Sequence, residues 1–90
     1  MDKSVHVYYS GSVQGVGFRF TAERLAVSLG LKGWAKNLED GRVEVVVEGR
    51  QASLKEFLRK VNDIFKEYIK DTDIDWGEAT DEFDAFDIRF

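Results

Sequence analysis

Nine residues, Gly11-Ser-Val-Gln-Gly-Val-Gly-Phe-Arg19, separate a stretch with the two-residue period of a strand from one with the period of a helix. The feature limits what the chain can fold into, because a strand must turn into a helix through glycines at 11, 15 and 17. It also suggests a chemistry. A glycine-rich loop feeding a helix N-terminus presents unpaired N–H groups and the positive end of the helix dipole, and that combination binds anions. Arg19 sits at the dipole end that disfavours a cation. A bound phosphate gripped by the guanidinium would remove that penalty. The same residues also suit a plain tight turn with a solvated arginine, and by themselves they leave both readings open. They match neither common nucleotide loop. Gly17 is followed by Phe18-Arg19 rather than Lys-Ser/Thr, and Phe20 stands where the dinucleotide fingerprint needs its third glycine.

Before the loop, Val5, Val7 and Tyr9 alternate with His6, Tyr8 and Ser10, which predicts a half-buried strand. After it, Phe18, Ala22, Leu25, Ala26 and Leu29 form an apolar stripe on a helix expected from about Phe20 to Leu29, stopped by Gly30. Residues 31–38 read as a second strand. Leu38-Glu39-Asp40-Gly41 is a hairpin connection in which Gly41 supplies the positive φ. Asn37 suits such a turn, and its primary amide can also hold a water in one orientation. The third strand, 42–48, places Val43, Val45 and Val47 on one face and Glu44, Val46 and Glu48 on the other. Its β-branched density predicts a central position. A second helix is expected over 52–68 with Leu54, Phe57, Leu58, Val61, Ile64, Phe65 and Tyr68 in one stripe. Ser53 and Glu56 have capping-box spacing. Ile74 and Trp76 would anchor a fourth strand in the acidic stretch 71–82, and Phe86, Ile88 and Phe90 a short edge strand. The order β-α-β-β-α-β predicts an α+β, ferredoxin-like sandwich: a mostly antiparallel sheet, two helices on one face, and a short extra C-terminal strand.

Ninety residues predict one domain over 1–90. The chain has no cysteine and one histidine, so disulfides and cysteine metal sites are excluded. His6 has no second His or Cys with which to form a metal site. No apolar run approaches a membrane span, and Met-Asp-Lys-Ser lacks the apolar core of a signal peptide, so a cytoplasmic location is expected. Thirteen Lys/Arg against 17 Asp/Glu give a net charge of −4, which disfavours nucleic acid. Basic residues concentrate in 1–60, the part that holds the glycine loop. No Ser-His or Cys-His nucleophile set is recognisable. One anion cradle and one water-orienting amide suit hydrolysis of a phosphate whose leaving group is already good, since phosphoryl transfer asks mainly for positioning and charge stabilisation.

Gly11 to Arg19, with Leu29-Gly-Leu-Lys-Gly-Trp-Ala-Lys-Asn37 and Asp40-Gly41, resembles the acylphosphatase signature. Both motifs stand in order at the right separation, and the resemblance runs nearly end to end. It implies hydrolysis of a small acyl phosphate to a carboxylate and inorganic phosphate, without a metal or other cofactor; a monomer is expected, though the residues leave the oligomeric state open. It implies that Arg19 and the main-chain N–H groups of Gln14, Gly15, Val16, Gly17 and Phe18 bind phosphate. It implies further that Asn37 orients the attacking water and that the substrate phosphate helps take the proton. Ser12 departs from the pattern, which usually has a basic residue there, and so does Ala35, where a larger aliphatic is common. The first departure bears on the electrostatic pull on the substrate.

Two other functions fit the same architecture. A non-catalytic phosphate-binding module would keep the cradle without turnover. Domains like this occur within larger carbamoyl-transfer maturation proteins, but a chain of 90 residues without linker or zinc-finger cysteines points to a free-standing protein. An RNA-binding module would use aromatics on the open sheet face, where Tyr8 stands but Glu44 and Glu48 oppose it.

Overall fold

Alternate valines and tyrosines form β1 (Asp2–Gly11), in which Val5, Val7 and Tyr9 are buried on one face while His6 and Tyr8 are half-buried on the other. The computed structural model describes residues 2–90, so residue 1 of the expected domain lies outside the described residues. Helix α1 (Phe18–Ser28) begins two residues before the expected Phe20, because Gly17 takes the left-handed conformation (φ 78°, ψ 20°) and serves as its cap. At its other end Gly30 has φ 71°. Its N–H donates to Val27 O at 3.1 Å, and Leu31 N–H donates to Ala26 O at 2.8 Å, which satisfies the last carbonyls of the helix.

Strand β2 (Lys32–Asn37) and strand β3 (Val43–Arg50) form the hairpin, and helix α2 (Gln51–Phe65), strand β4 (Ile69–Glu78) and strand β5 (Phe86–Arg89) complete the chain. The sheet order is β4-β1-β3-β2-β5, with β3 central as its valines predict. Neighbours are antiparallel except β5, which pairs parallel to β2. Helix α2 packs on β3 and β1, and α1 on β2 and β5. Their buried residues share one core with Val5, Val7, Val43, Val45 and Val47. Each of these fully enclosed valines contributes roughly 1.5–3 kcal/mol by leaving water. The expected ferredoxin-like architecture with an added terminal strand is the observed one.

Three expectations need correction. The Ser53–Glu56 capping box does not form: β3 runs into α2 without a linking residue, Arg50 is the N-cap, and no side-chain cap bond is made. Ser53 is already inside the helix, and Glu56 instead accepts from Arg59 at 2.7 Å. Helix α2 stops at Phe65 rather than Tyr68, because the chain must turn to bring Ile69 into register with Gly11. Tyr68, past the helix end, is 42% exposed, and Ile64, inside the helix but not among its buried residues Leu54, Phe57, Val61 and Phe65, is 52% exposed. Ile74 and Trp76 do face the helix side, opposite Val7 and Val5, yet they are 43% and 42% exposed. They lie on an edge strand that neither helix covers.

Glu48 belongs to the sheet face away from the helices but is only 6% exposed. The connection between β4 and β5 closes over it. Thr80 donates its N–H at 3.0 Å and its hydroxyl at 3.0 Å, and Asp81 donates its N–H at 3.2 Å. Burial pushes the carboxyl pKa up, but these donors and the Ser4 hydroxyl outweigh it and hold the group below its ordinary value. A lowered carboxylate pKa supplies stability that is complete above the unfolded-state pKa and fades as pH falls through the folded one. Glu48→Gln should cost about 1–3 kcal/mol at pH 7. In urea unfolding across pH 7 to 3, the gap from wild type should close on acidification, and a constant gap would rule out the carboxylate as its source.

Tyr9 is 1% exposed and its hydroxyl has no hydrogen-bond partner. Burial raises its pKa well above the usual phenol. The folded state therefore keeps the phenol neutral, and its contribution is present below the unfolded pKa and lost as pH climbs past it. Tyr9→Phe should leave stability unchanged or raise it by about 1 kcal/mol. Denaturation at pH 8 and 11 should show a larger advantage for the variant at the higher pH.

Candidate functional site

The glycine loop owes its shape to two residues in the left-handed region, Gly15 (φ 81°) and Gly17 (φ 78°). Side chains strain there, so the loop can fold tightly only with glycine at both. The loop's exit is nailed to the core. Phe18, 2% exposed, packs its ring 4.5 Å from that of Phe65 and 4.9 Å from that of Tyr9. The helix then starts with no side-chain cap and no acidic residue in its first turn. The first N–H to reach back to the cap is that of Thr21, bonded to Gly17 O at 3.0 Å. By helix geometry the N–H groups of Phe18, Arg19 and Phe20 have no intrahelical acceptor. They point outward from the positive end of the dipole.

Arg19 is half-buried rather than freely solvated. Its Nη1 donates to Arg89 O at 3.2 Å, and its guanidinium lies 4.9 Å from the centre of the Phe90 ring. The end of β5 thus holds the side chain in place, and nothing in the local sequence announces a partner 70 residues away. Asn37 closes β2, paired with Val43 of β3.

A cleft of about 270 Å³ joins these parts, lined by Gly15, Gly17, Phe18, Arg19 and Asn37 together with Val13 and Phe20. Of the sequence-expected residues, Gln14 and Val16 do not line it: Val16 packs against the core, and the Gln14 side chain turns to the hairpin. There its Nε2 donates to Leu38 O at 2.7 Å and to Arg42 O at 2.9 Å. A larger hollow, about 370 Å³, lies between Lys3, Gln51, Lys55, Trp76, Gly77 and Glu78. Gln51, the first residue of α2, lines it, but no arginine does, and Lys3 is already paired to Glu78 at 2.8 Å. His6 lies on the other sheet face, 2.6 Å from Glu44 Oε2. Among the described residues no three His, Asp or Glu side chains are arranged to hold a metal ion. No helix among them is long and apolar enough to cross a membrane.

Residues 5–88 match the acylphosphatase family model. An acylphosphatase of Caldanaerobacter subterraneus is 52% identical over 58 residues, 64% of this chain and 64% of that protein, so that match spans less than two thirds of the relative's length. An acylphosphatase of Roseiflexus is 38% identical over 84 residues, covering 92% of this chain and 90% of that one. The crystal structure of an acylphosphatase from Bacillus subtilis superposes with a TM-score of 0.89 at 29% identity, over 98% of this chain and 99% of the other. With its cleft at the junction of the glycine loop and the β2 end, and with family likeness along nearly its whole length, the chain belongs to the acylphosphatase family.

Proposed function

We propose that the protein hydrolyses the carboxyl–phosphate bond of small acyl phosphates, releasing a carboxylate and inorganic phosphate. The observation that carries this reading is the single cleft shared by the glycine loop, Arg19 and Asn37. In it the phosphate sits against the loop and helix-start N–H groups, with the Arg19 guanidinium on its remaining oxygens. The Asn37 amide orients a water toward phosphorus. The water oxygen bonds to phosphorus as the bond to the acyl oxygen breaks, and the carboxylate leaves with that electron pair. The water's proton passes to a phosphate oxygen of the substrate, so no protein base is required. A carboxylate is a good leaving group, which makes positioning and charge stabilisation sufficient.

The reading is of a monomer acting in the cytoplasm on a small molecule. The excess of 17 Asp/Glu over 13 Lys/Arg supports the absence of nucleic acid from it.

Benzoyl phosphate hydrolysis in EDTA, measured for wild type, Arg19→Ala and Asn37→Ala with folding checked by circular dichroism, tests the proposal. Wild type should turn over in the chelator. Arg19→Ala should lose about 10³-fold or more in kcat/KM along with inhibition by inorganic phosphate. Asn37→Ala should lose about 10²-fold in kcat while phosphate still inhibits. Unchanged phosphate inhibition in Arg19→Ala would remove the arginine from the cradle. A wild type that binds phosphate without turnover would make the cleft a binding module.

A further inference from the structure

Gln14 does not line the cleft, yet it touches both of its halves. Its backbone immediately precedes Gly15, and its side chain crosses to the β2–β3 hairpin, 24 and 28 residues away. There Nε2 meets two main-chain carbonyls, Leu38 O at 2.7 Å and Arg42 O at 2.9 Å. Both are hairpin groups. Arg42 O also accepts Leu38 N–H at 2.8 Å, and Leu38 O accepts Gly41 N–H at 3.2 Å. Leu38 directly follows Asn37.

The chemistry of this contact is exacting. Two carbonyl oxygens converge on one terminal atom, so that atom must be a donor with two hydrogens. A primary amide nitrogen meets the requirement without adding charge. A carboxylate in its place would face two oxygens, and a thioether would leave both without the donor. The contact also joins two segments that are not neighbours in the sheet: the loop belongs to the β1–α1 connection and Asn37 to the end of β2, with β3 between the two strands.

We propose that the Gln14 side chain is a positioning residue that fixes the separation between the phosphate cradle and Asn37. The inference rests on the acylphosphatase reading for its kinetic consequence, not for its geometry. Gln14 acts through Asn37. Removing its amide leaves the cradle N–H groups and Arg19 in place but lets the hairpin end drift, and a misplacement of about 1 Å can cost on the order of 10²-fold in rate.

The test uses Gln14→Met, which keeps the bulk and removes both donors, with Gln14→Ala as a second variant should the first fail to fold. Amide hydrogen exchange at Leu38 and Gly41 is compared with wild type by NMR. The kcat for benzoyl phosphate and inhibition by inorganic phosphate are then measured in wild type, Gln14→Met, Asn37→Ala and the double variant. Exchange at the two hairpin amides should speed up about tenfold or more, kcat should fall about tenfold or more, and phosphate inhibition should stay within about threefold. The double variant should be no slower than Asn37→Ala alone, because a residue acting through Asn37 has nothing left to act on. Effects that multiply in full, or phosphate inhibition weakening in step with kcat, would overturn the proposal. If wild type hydrolyses nothing, the activity reading fails, and exchange alone decides the tie: unchanged rates at Leu38 and Gly41 overturn it, faster rates uphold it.

Discussion

The Phe18 ring, wedged against Tyr9 and Phe65, is the contact on which the rest of the cleft depends. It joins β1, the first residue of α1 and the last residue of α2 in one buried cluster. Helix α1 therefore cannot slide or rotate without exposing an aromatic side chain, at a cost of roughly 1.5–3 kcal/mol for the ring alone. Its N-terminus is consequently a stationary group of donors. A cradle made of backbone N–H groups is selective only if the backbone is stationary, since the donors have no rotamers of their own to adjust. The hydrophobic core thus reaches the cleft through one residue whose side chain points inward while its N–H points out.

Electrostatics complete what packing begins. The protein is acidic overall, but the first turn of α1 has no acidic residue to compete with an anion. Arg19 stands at the unfavourable end of the helix dipole, and the neutral contacts that hold it there, the Arg89 carbonyl and the Phe90 ring, do not cancel its charge. Among the described residues no carboxylate pairs with Arg19, and a guanidinium restrained in that way remains available to an anion. Arg59, between Glu56 and Asp63, and Arg42, against Asp40, are by contrast paired with carboxylates.

Local readings succeeded where neighbours in sequence are neighbours in space. Valines 43, 45 and 47 announce a central strand because burial on the helix face and pairing on both edges favour β-branched residues. Gly30 ends α1 because only a residue at ease with positive φ closes that cap. Readings failed where a tertiary connection outranked a local pattern. Ser53 and Glu56 have the spacing of a capping box, yet the direct join of β3 to α2 starts the helix earlier. Ile74 and Trp76 have the alternation of buried anchors, but edge position leaves them uncovered.

The sequence by itself determined the order of elements, the glycine turn with Arg19 at the helix start, and a turn-forming asparagine at the end of the second strand. These follow from side-chain period and backbone permissiveness, which act over a few residues. Only the tertiary structure decided that the turn and the asparagine share a cleft, that the end of β5 restrains Arg19, and that the Gln14 amide ties the loop to the hairpin. Each of those contacts joins residues at least 18 positions apart, beyond the reach of local periodicity. They exist because β3 inserts between β1 and β2 and brings the ends of two non-adjacent strands to the same edge of the fold.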